Sequence, residues 1–225
     1  MDERPETGAE PAIRISSTGR IEAFSDGVMA IAITLLVLDL KVPDEAQVSA
    51  AGNLVAALLA RWPAYLAYLT AFLTVGIIWL NHRSFVDKVN RFDDRLQWLN
   101  LALLLGVATL PFPTALMADY VAVGGPSAST ATALYGLLAA LMGLPWVFMW
   151  RHLRGHAELL EPPFGAAYAA KELRRASIGP LIFGLAVPIA IVVPVGALVF
   201  YISVAALYAI TSGGAPSSPA LDERD

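Results

Sequence analysis

The stretch from Arg20 to Leu40, RIEAFSDGVMAIAITLLVLDL, decides the fold. It is an apolar run of about 20 residues, the length a helix needs to cross a hydrocarbon core of about 30 Å. Yet it carries an ionisable side chain, Asp26, about one and a half turns in from Arg20. A charge at that depth is costly and marks a packed polar site or a functional one. At roughly 100° per residue, Asp26 sits about 120° round the helix from Arg20, so the two do not pair along one face. Asp26 therefore needs a partner on another helix or another subunit. The end of the second apolar segment offers Trp79, Asn81, His82 and Arg83 on the same side. One reading is a structural clamp, with Ser25 and Asp26 fixing the register of a neighbouring helix. The other is a proton-linked or gating group.

Further along, Ile31, Leu35 and Leu38 follow at i, i+4 and i+7, one stripe on one helix face. Thr34 lies about 60° from Ile31 and borders the same side. In a single copy this stripe reads as lipid contact or helix packing. Around an axis shared by several copies, rings of branched aliphatics make a hydrophobic constriction, and Thr34 hydroxyls offer oxygens to a dehydrating cation. Asp39 closes the helix about 80° off the stripe, with Asp44 and Glu45 close behind. It reads either as a solvated terminus or as part of an acidic outer mouth that concentrates cations.

The rest of the chain agrees with a membrane protein. Of 225 residues, 57% are hydrophobic and only 15% charged, and mean hydropathy is +0.62. A soluble domain carries roughly 25% charged residues. This composition disfavours a soluble enzyme, a nucleic-acid binder and a disordered scaffold together. The length accommodates roughly six spans and no sizeable extramembrane domain. Residues 1–19 read as a polar cytoplasmic N-terminus, too acidic for a signal peptide, and 211–225 as a disordered cytoplasmic tail. Between them, residues 20–210 form the transmembrane domain. Its spans are expected at Arg20–Leu40, Trp62–Leu80, Leu96–Met117, Thr130–Trp150, Ile178–Val193 and Val195–Ile210, with a difficult junction at Pro194.

Charge sets the orientation. Arg4, Arg14, Arg20 and Arg224 lie at the termini. Arg83, Lys88, Arg91 and Arg95 follow the second span, and Arg151, Arg154, Lys171, Arg174 and Arg175 follow the fourth. These are 13 of the 15 Lys and Arg, leaving only Lys41 and Arg61 for the other face. The positive-inside rule places both termini in the cytoplasm and requires an even number of spans.

No enzyme is expected, because no nucleophile–base pair, phosphate-binding glycine loop or metal cluster is visible. The chain has no Cys and only His82, His152 and His156. The last two read as part of a basic cytoplasmic loop. No cofactor and no nucleic-acid partner are expected.

The motif Arg20-x-x-x-Phe24-Ser25-Asp26 with the following Gly27-Val28-Met29-Ala30-Ile31-Ala32-Ile33-Thr34 resembles the signature of the transmembrane-protein-175 family. Trp62-Pro63, Tyr65-Leu66-Ala67-Tyr68 and Trp79-Leu80-Asn81-His82 resemble the second helix of its bacterial members. The resemblance implies an all-α fold of six transmembrane helices, with the first helix lining a central pore in a homotetramer. It implies a potassium-selective or potassium-preferring channel with passive conduction, in the plasma membrane of a prokaryote. The partners would be other copies of the chain, potassium ions and the lipid bilayer. It assigns Ile31, Leu35 and Leu38 to the pore constriction and Thr34 to potassium preference. Arg20, Phe24, Ser25 and Asp26 become the structural motif near the inner mouth, for which Trp79, Asn81 and His82 stand as candidate partners by their position at the end of the second span. The competing expectation is a proton-coupled secondary transporter built on Asp26 and His82.

Overall fold

The computed structural model describes residues 17–212, with side chains described from 18 to 208. Most of the polar N-terminus and of the C-terminal tail, including Arg4, Arg14 and Arg224, lies outside the described residues.

Among the described residues the chain is all-α, apart from one isolated antiparallel bridge between Val89 and Leu160. Helix α1 (Ser17–Leu35) continues as a 3-10 turn (Leu36–Asp39). Two short helices follow, α2 (Glu45–Ala51) and α3 (Leu54–Ala60), and then α4 (Trp62–Val86). Helices α5 (Asp94–Thr109) and α6 (Pro111–Tyr120) run in sequence, followed by α7 (Gly125–Gly155), α8 (Ala166–Val192) and α9 (Pro194–Ser212). Among the described residues, five segments are long and apolar enough to cross a membrane: Thr18–Asp39, Trp62–Val86, Asp94–Tyr120, Gly125–Gly155 and Ala166–Val192. The part of α9 whose side chains are described, Pro194–Tyr208, is apolar as well. This is the organisation of a multi-pass membrane protein.

Several boundaries differ from the sequence expectation, each for a physical reason. The first span starts at Ser17 and tightens into the 3-10 turn before Leu40, a common way for a helix end to satisfy its last carbonyls. The third span is divided at Leu110, where Pro111 has no N–H to offer and crowds the preceding turn. The fourth extends to Gly155, so His152 is helical rather than in a loop. The fifth begins at Ala166, not Ile178, because the basic run Lys171–Arg175 is helical. Between α8 and α9 only Val193 is non-helical, ahead of Pro194 at the first position of α9.

In lipid, helices gain little by hiding apolar surface from one another, so close packing and hydrogen bonds hold them together. Helix α1 turns Ser25, Met29 and Ala32 inward against α4 and α5, and Leu36 of the 3-10 turn follows on the side that meets α4 and α6; all four are buried. Small residues bring the other helices together. A Cβ on Gly106 of α5 would stand 2.7 Å from Met142 Cγ of α7, and one on Gly143 would stand 2.6 Å from Pro180 Cγ of α8. Only glycine allows either crossing. The ring of Phe85 meets Trp146 and Trp150 edge-on, with centroids 5.4 and 5.1 Å away. The hydroxyls of Thr70, Thr74, Thr114 and Thr132 each donate to the carbonyl one turn back, at 2.6 to 2.8 Å. None is left as an unpaired donor in an apolar interior.

Candidate functional site: an exposed helix face on a polar clamp

Helix α1 has two faces of different character. Opposite its buried stripe, Arg20, Phe24, Ile31, Thr34, Leu35 and Leu38 are exposed. Ile31 is 62% exposed, Leu35 44% and Leu38 71%, although all three are large and apolar. The 3-10 turn changes their alignment. Ile31 and Leu35 are offset by about 40° along the α-helix. Leu35 and Leu38, three residues apart across a 3-10 turn, fall nearly over one another. The three side chains therefore form layers about 6 Å apart along one line. Arg20 lies within about 20° of Ile31 on the same face, at the other end of the helix. The Thr34 hydroxyl donates to the Ile31 carbonyl at 2.8 Å. That uses its only proton and leaves its oxygen lone pairs free on the exposed face.

The inward face is fixed by hydrogen bonds to two helices. Trp79 of α4 donates its indole Nε1–H to Asp26 Oδ1 at 3.0 Å. Asn100 of α5 donates from Nδ2 to Ser25 Oγ at 3.0 Å and accepts from His82 Nε2 at 2.8 Å. Ser25, Asn100 and His82 are all buried. The chain of contacts runs from α1 to α5, from α5 to α4, and from α4 back to α1. Among the described residues, His82 Nδ1 is buried without a hydrogen-bond partner. With Nε2 donating, the neutral tautomer that leaves Nδ1 unprotonated suits this site.

The placement of the expected motif partners divides. Trp79 reaches Asp26 directly. His82 turns to Asn100 and joins the motif through Ser25, and no hydrogen bond links it to Asp26 among the described residues. Asn81 lies about 160° from Trp79 on α4 and lines a groove on the other side of that helix. Sequence reasoning missed Asn100. Its signal was present: an amide alone within the apolar run Trp98–Val107 needs a hydrogen-bond partner.

At the far end of α1, Asp39 Oδ2 is buried and unpartnered among the described residues. Lys41 pairs instead with Asp119 at 2.7 Å, with both side chains substantially exposed. Asp44 caps α2 in a reciprocal capping box with Gln47, so its carboxylate is engaged locally.

At the basic end, Asp93 accepts the Leu96 N–H at 2.9 Å as the cap of α5 and meets His152 Nε2 at 2.6 Å. Burial pushes the Asp93 carboxyl up, but the Leu96 N–H and His152 outweigh it and hold it below the usual carboxylate value. Among the described residues no cluster of three or more His, Cys, Asp or Glu could hold a metal.

Comparison with known proteins places this architecture. Residues 20–111 match the family model described as endosomal/lysosomal potassium channel TMEM175. A protein of Streptomyces collinus named as a potassium channel is 42% identical over 178 residues, covering 79% of this chain and 84% of the relative. The human endosomal/lysosomal proton channel TMEM175 is 45% identical over 100 residues, 42% of this chain and 20% of that protein. The crystal structure of a lysosomal potassium-selective channel TMEM175 homolog from Chamaesiphon minutus superposes with a TM-score of 0.77 at 34% identity. It covers 88% of this chain and 98% of that one. The chain belongs to the TMEM175 family.

Proposed function

We propose that this chain is the subunit of a potassium-selective, or potassium-preferring, cation channel in the plasma membrane of a prokaryote. Four copies surround a central axis. Each contributes six spans, with both termini in the cytoplasm, and α1 lines the pore. Ile31, Leu35 and Leu38 are the constriction layers, and Thr34 contributes to potassium preference. Asp39 stands toward the outer mouth and Arg20 toward the inner one. Phe24, Ser25 and Asp26, with Trp79, His82 and Asn100, hold α1 in place.

One observation carries this reading. A single face of α1 is exposed from Arg20 to Leu38, while the opposite face is fixed to α4 and α5 by packing and by the Ser25–Asn100–His82 and Asp26–Trp79 contacts. A purely lipid-facing surface does not call for Arg20 and the free lone pairs of Thr34 in line with the apolar layers. The named activities of the Streptomyces and Chamaesiphon relatives point the same way.

Mechanistically, three apolar layers over about 12 Å exclude water when narrow and pass ions when the α1 helices move apart. The hydroxyl oxygens of Thr34 lie within a turn of these layers and replace part of a potassium ion's hydration. Binding is weak enough for the ion to leave, and flux runs down the electrochemical gradient. A proton-coupled carrier draws less from the geometry, because His82 is committed to Asn100 and not to Asp26. Ion flux from purified protein in liposomes tests the proposal. Non-saturating potassium flux that exceeds sodium flux and needs no proton gradient is expected. Saturable flux that requires a pH gradient would replace the channel with a carrier.

A further inference from the structure

On α4, the side away from α1 carries a second feature. Ile77, Asn81 and Ser84 fall at i, i+4 and i+7, a stripe turned away from Trp79, and Lys88 follows in the turn just past the helix. This stripe forms one wall of an open groove of about 280 Å³ between α4, α7, α8 and α9.

The groove changes character along its length. Its deeper part is apolar, walled by Ile77, Met142, Pro180, Phe183, Val204 and Ala205. Its other end lies where the basic segments follow α4 and open α8, and it is lined by Lys88, Arg175, Glu172, Ser84 and Tyr168. Trp146 and Trp150 stand between the two parts, and amphipathic rings suit the headgroup level of a bilayer.

The polar end carries an unbalanced charge. Arg175 donates to Glu172 at 3.2 Å. Lys88 Nζ donates to the Ser84 carbonyl and hydroxyl, both at 2.6 Å, and stands 5.9 Å from the centroid of the Phe164 ring. Lys88 meets no carboxylate at ion-pair distance among the described residues. The lining therefore holds two cations against one carboxylate, a net charge that one phosphodiester would balance.

The geometry points to a binding site for a single anionic diacyl phospholipid of the inner leaflet, with its phosphate between Lys88 and Arg175 and an acyl chain in the apolar slot toward Ile77 and Phe183. Basic pockets between transmembrane helices on the cytoplasmic side are suited to such headgroups. Lys88 is consistent with an absent counter-charge. Burial pushes its ammonium below the ordinary lysine value, Asp87 and Glu172 oppose that shift, and Arg175 adds to it. A phosphate there would favour the charged form. The site lies on the side of α4 turned away from Trp79 and α1.

The test is lipid retention by the purified full-length chain in native mass spectrometry, offered equal phosphatidylglycerol and phosphatidylcholine. One net basic residue near an anionic headgroup is worth about fivefold, so retention of phosphatidylglycerol should exceed phosphatidylcholine by about that factor. A Cβ on Gly179, within the groove, meets no atom within 4 Å. Gly179→Leu adds a side chain to the groove wall and should abolish retention of both lipids at this site. Arg175→Gln leaves the lining with no net charge and should bring the two lipids to parity, and adding Lys88→Gln leaves Glu172 alone and should turn the preference toward phosphatidylcholine. If Gly179→Leu does not fold, Arg175→Gln alone carries the test, since that side chain is 63% exposed. Equal retention of both lipids by the unmodified chain would overturn the inference. So would a phosphatidylglycerol preference that survives the charge variants. A change in oligomeric mass on Gly179→Leu would overturn it too, by assigning the groove to a second copy.

Discussion

Replacing Asn100 with Leu removes its two side-chain hydrogen bonds, one to α1 and one to α4, while keeping a side chain of similar bulk. The Nδ2 bond to Ser25 Oγ (3.0 Å) and the Oδ1 bond from His82 Nε2 (2.8 Å) are lost together. The losses are unequal. Ser25 keeps a hydroxyl that donates elsewhere by rotation, whereas His82 is buried with Nε2–H aimed at a missing acceptor and Nδ1 already unpartnered. An orphaned buried donor costs about 1–3 kcal/mol. Hydrogen bonds between membrane helices average about 0.6 kcal/mol each in mutant cycles. The two scales together bracket the expected destabilisation of Asn100→Leu at about 1–3 kcal/mol. Reversible unfolding in mixed micelles measures it. The second arm is His82→Leu, alone and combined with Asn100→Leu. Because both members of the pair are then apolar, the double variant should lose about 1 kcal/mol less than the sum of the single variants. Strict additivity, or an Asn100→Leu variant as stable as the parent, would refute the clamp.

Other perturbations address separate parts of the account. Ile31→Asn places an amide in the first constriction layer and should relax the potassium-over-sodium flux ratio severalfold in liposomes; an unchanged ratio would remove Ile31 from the pore. Thr34→Ala should lower the same ratio while leaving assembly intact, and equal ratios before and after would deprive the hydroxyl of its role. Asp93 has a folded pKa below its unfolded value of about 3.9. It therefore contributes stability above that pH and loses it as pH falls through the folded value. Thermal stability should drop as pH falls below about 4, and Asp93→Asn should flatten that drop; an identical pH profile in the variant would contradict the assignment.

The first span and its anomaly were legible because a charge in an apolar helix has few inexpensive explanations. Asp26 had to find a donor, and Trp79 was within the segment that provides it. The stripe of Ile31, Leu35 and Leu38 follows from helical periodicity alone, and so does its separation from Met29, Ala32 and Leu36. The partners of Ser25 were harder. Periodicity places a residue on a face but does not name the helix that face meets. Asn81 and His82 are adjacent in sequence, yet about 100° apart around α4, so one reaches the clamp and the other the groove.

Boundaries drawn by hydrophobicity also stop at charges, whereas helical hydrogen bonding does not. Lys171, Arg174 and Arg175 are inside α8 for that reason, and only their helical phase brings Arg175 to the groove with Lys88. The Asp93–His152 contact joins residues far apart in sequence, and its signal is weaker still. Either residue alone reads as an ordinary polar group at a helix end. The 3-10 turn that brings Leu38 over Leu35 leaves no mark in the residue pattern at all.

The absence of Cys from the chain makes the central claim directly testable. Single Ile31→Cys and Ile189→Cys variants, reconstituted in liposomes, are treated with a membrane-impermeant thiol reagent during potassium flux. Ile189 is an exposed apolar residue on α8, away from α1. If the exposed face of α1 lines the conduction path, the reagent blocks flux in Ile31→Cys and spares Ile189→Cys. Flux that continues in Ile31→Cys, under conditions where labelling of that thiol is complete, would place the pore elsewhere.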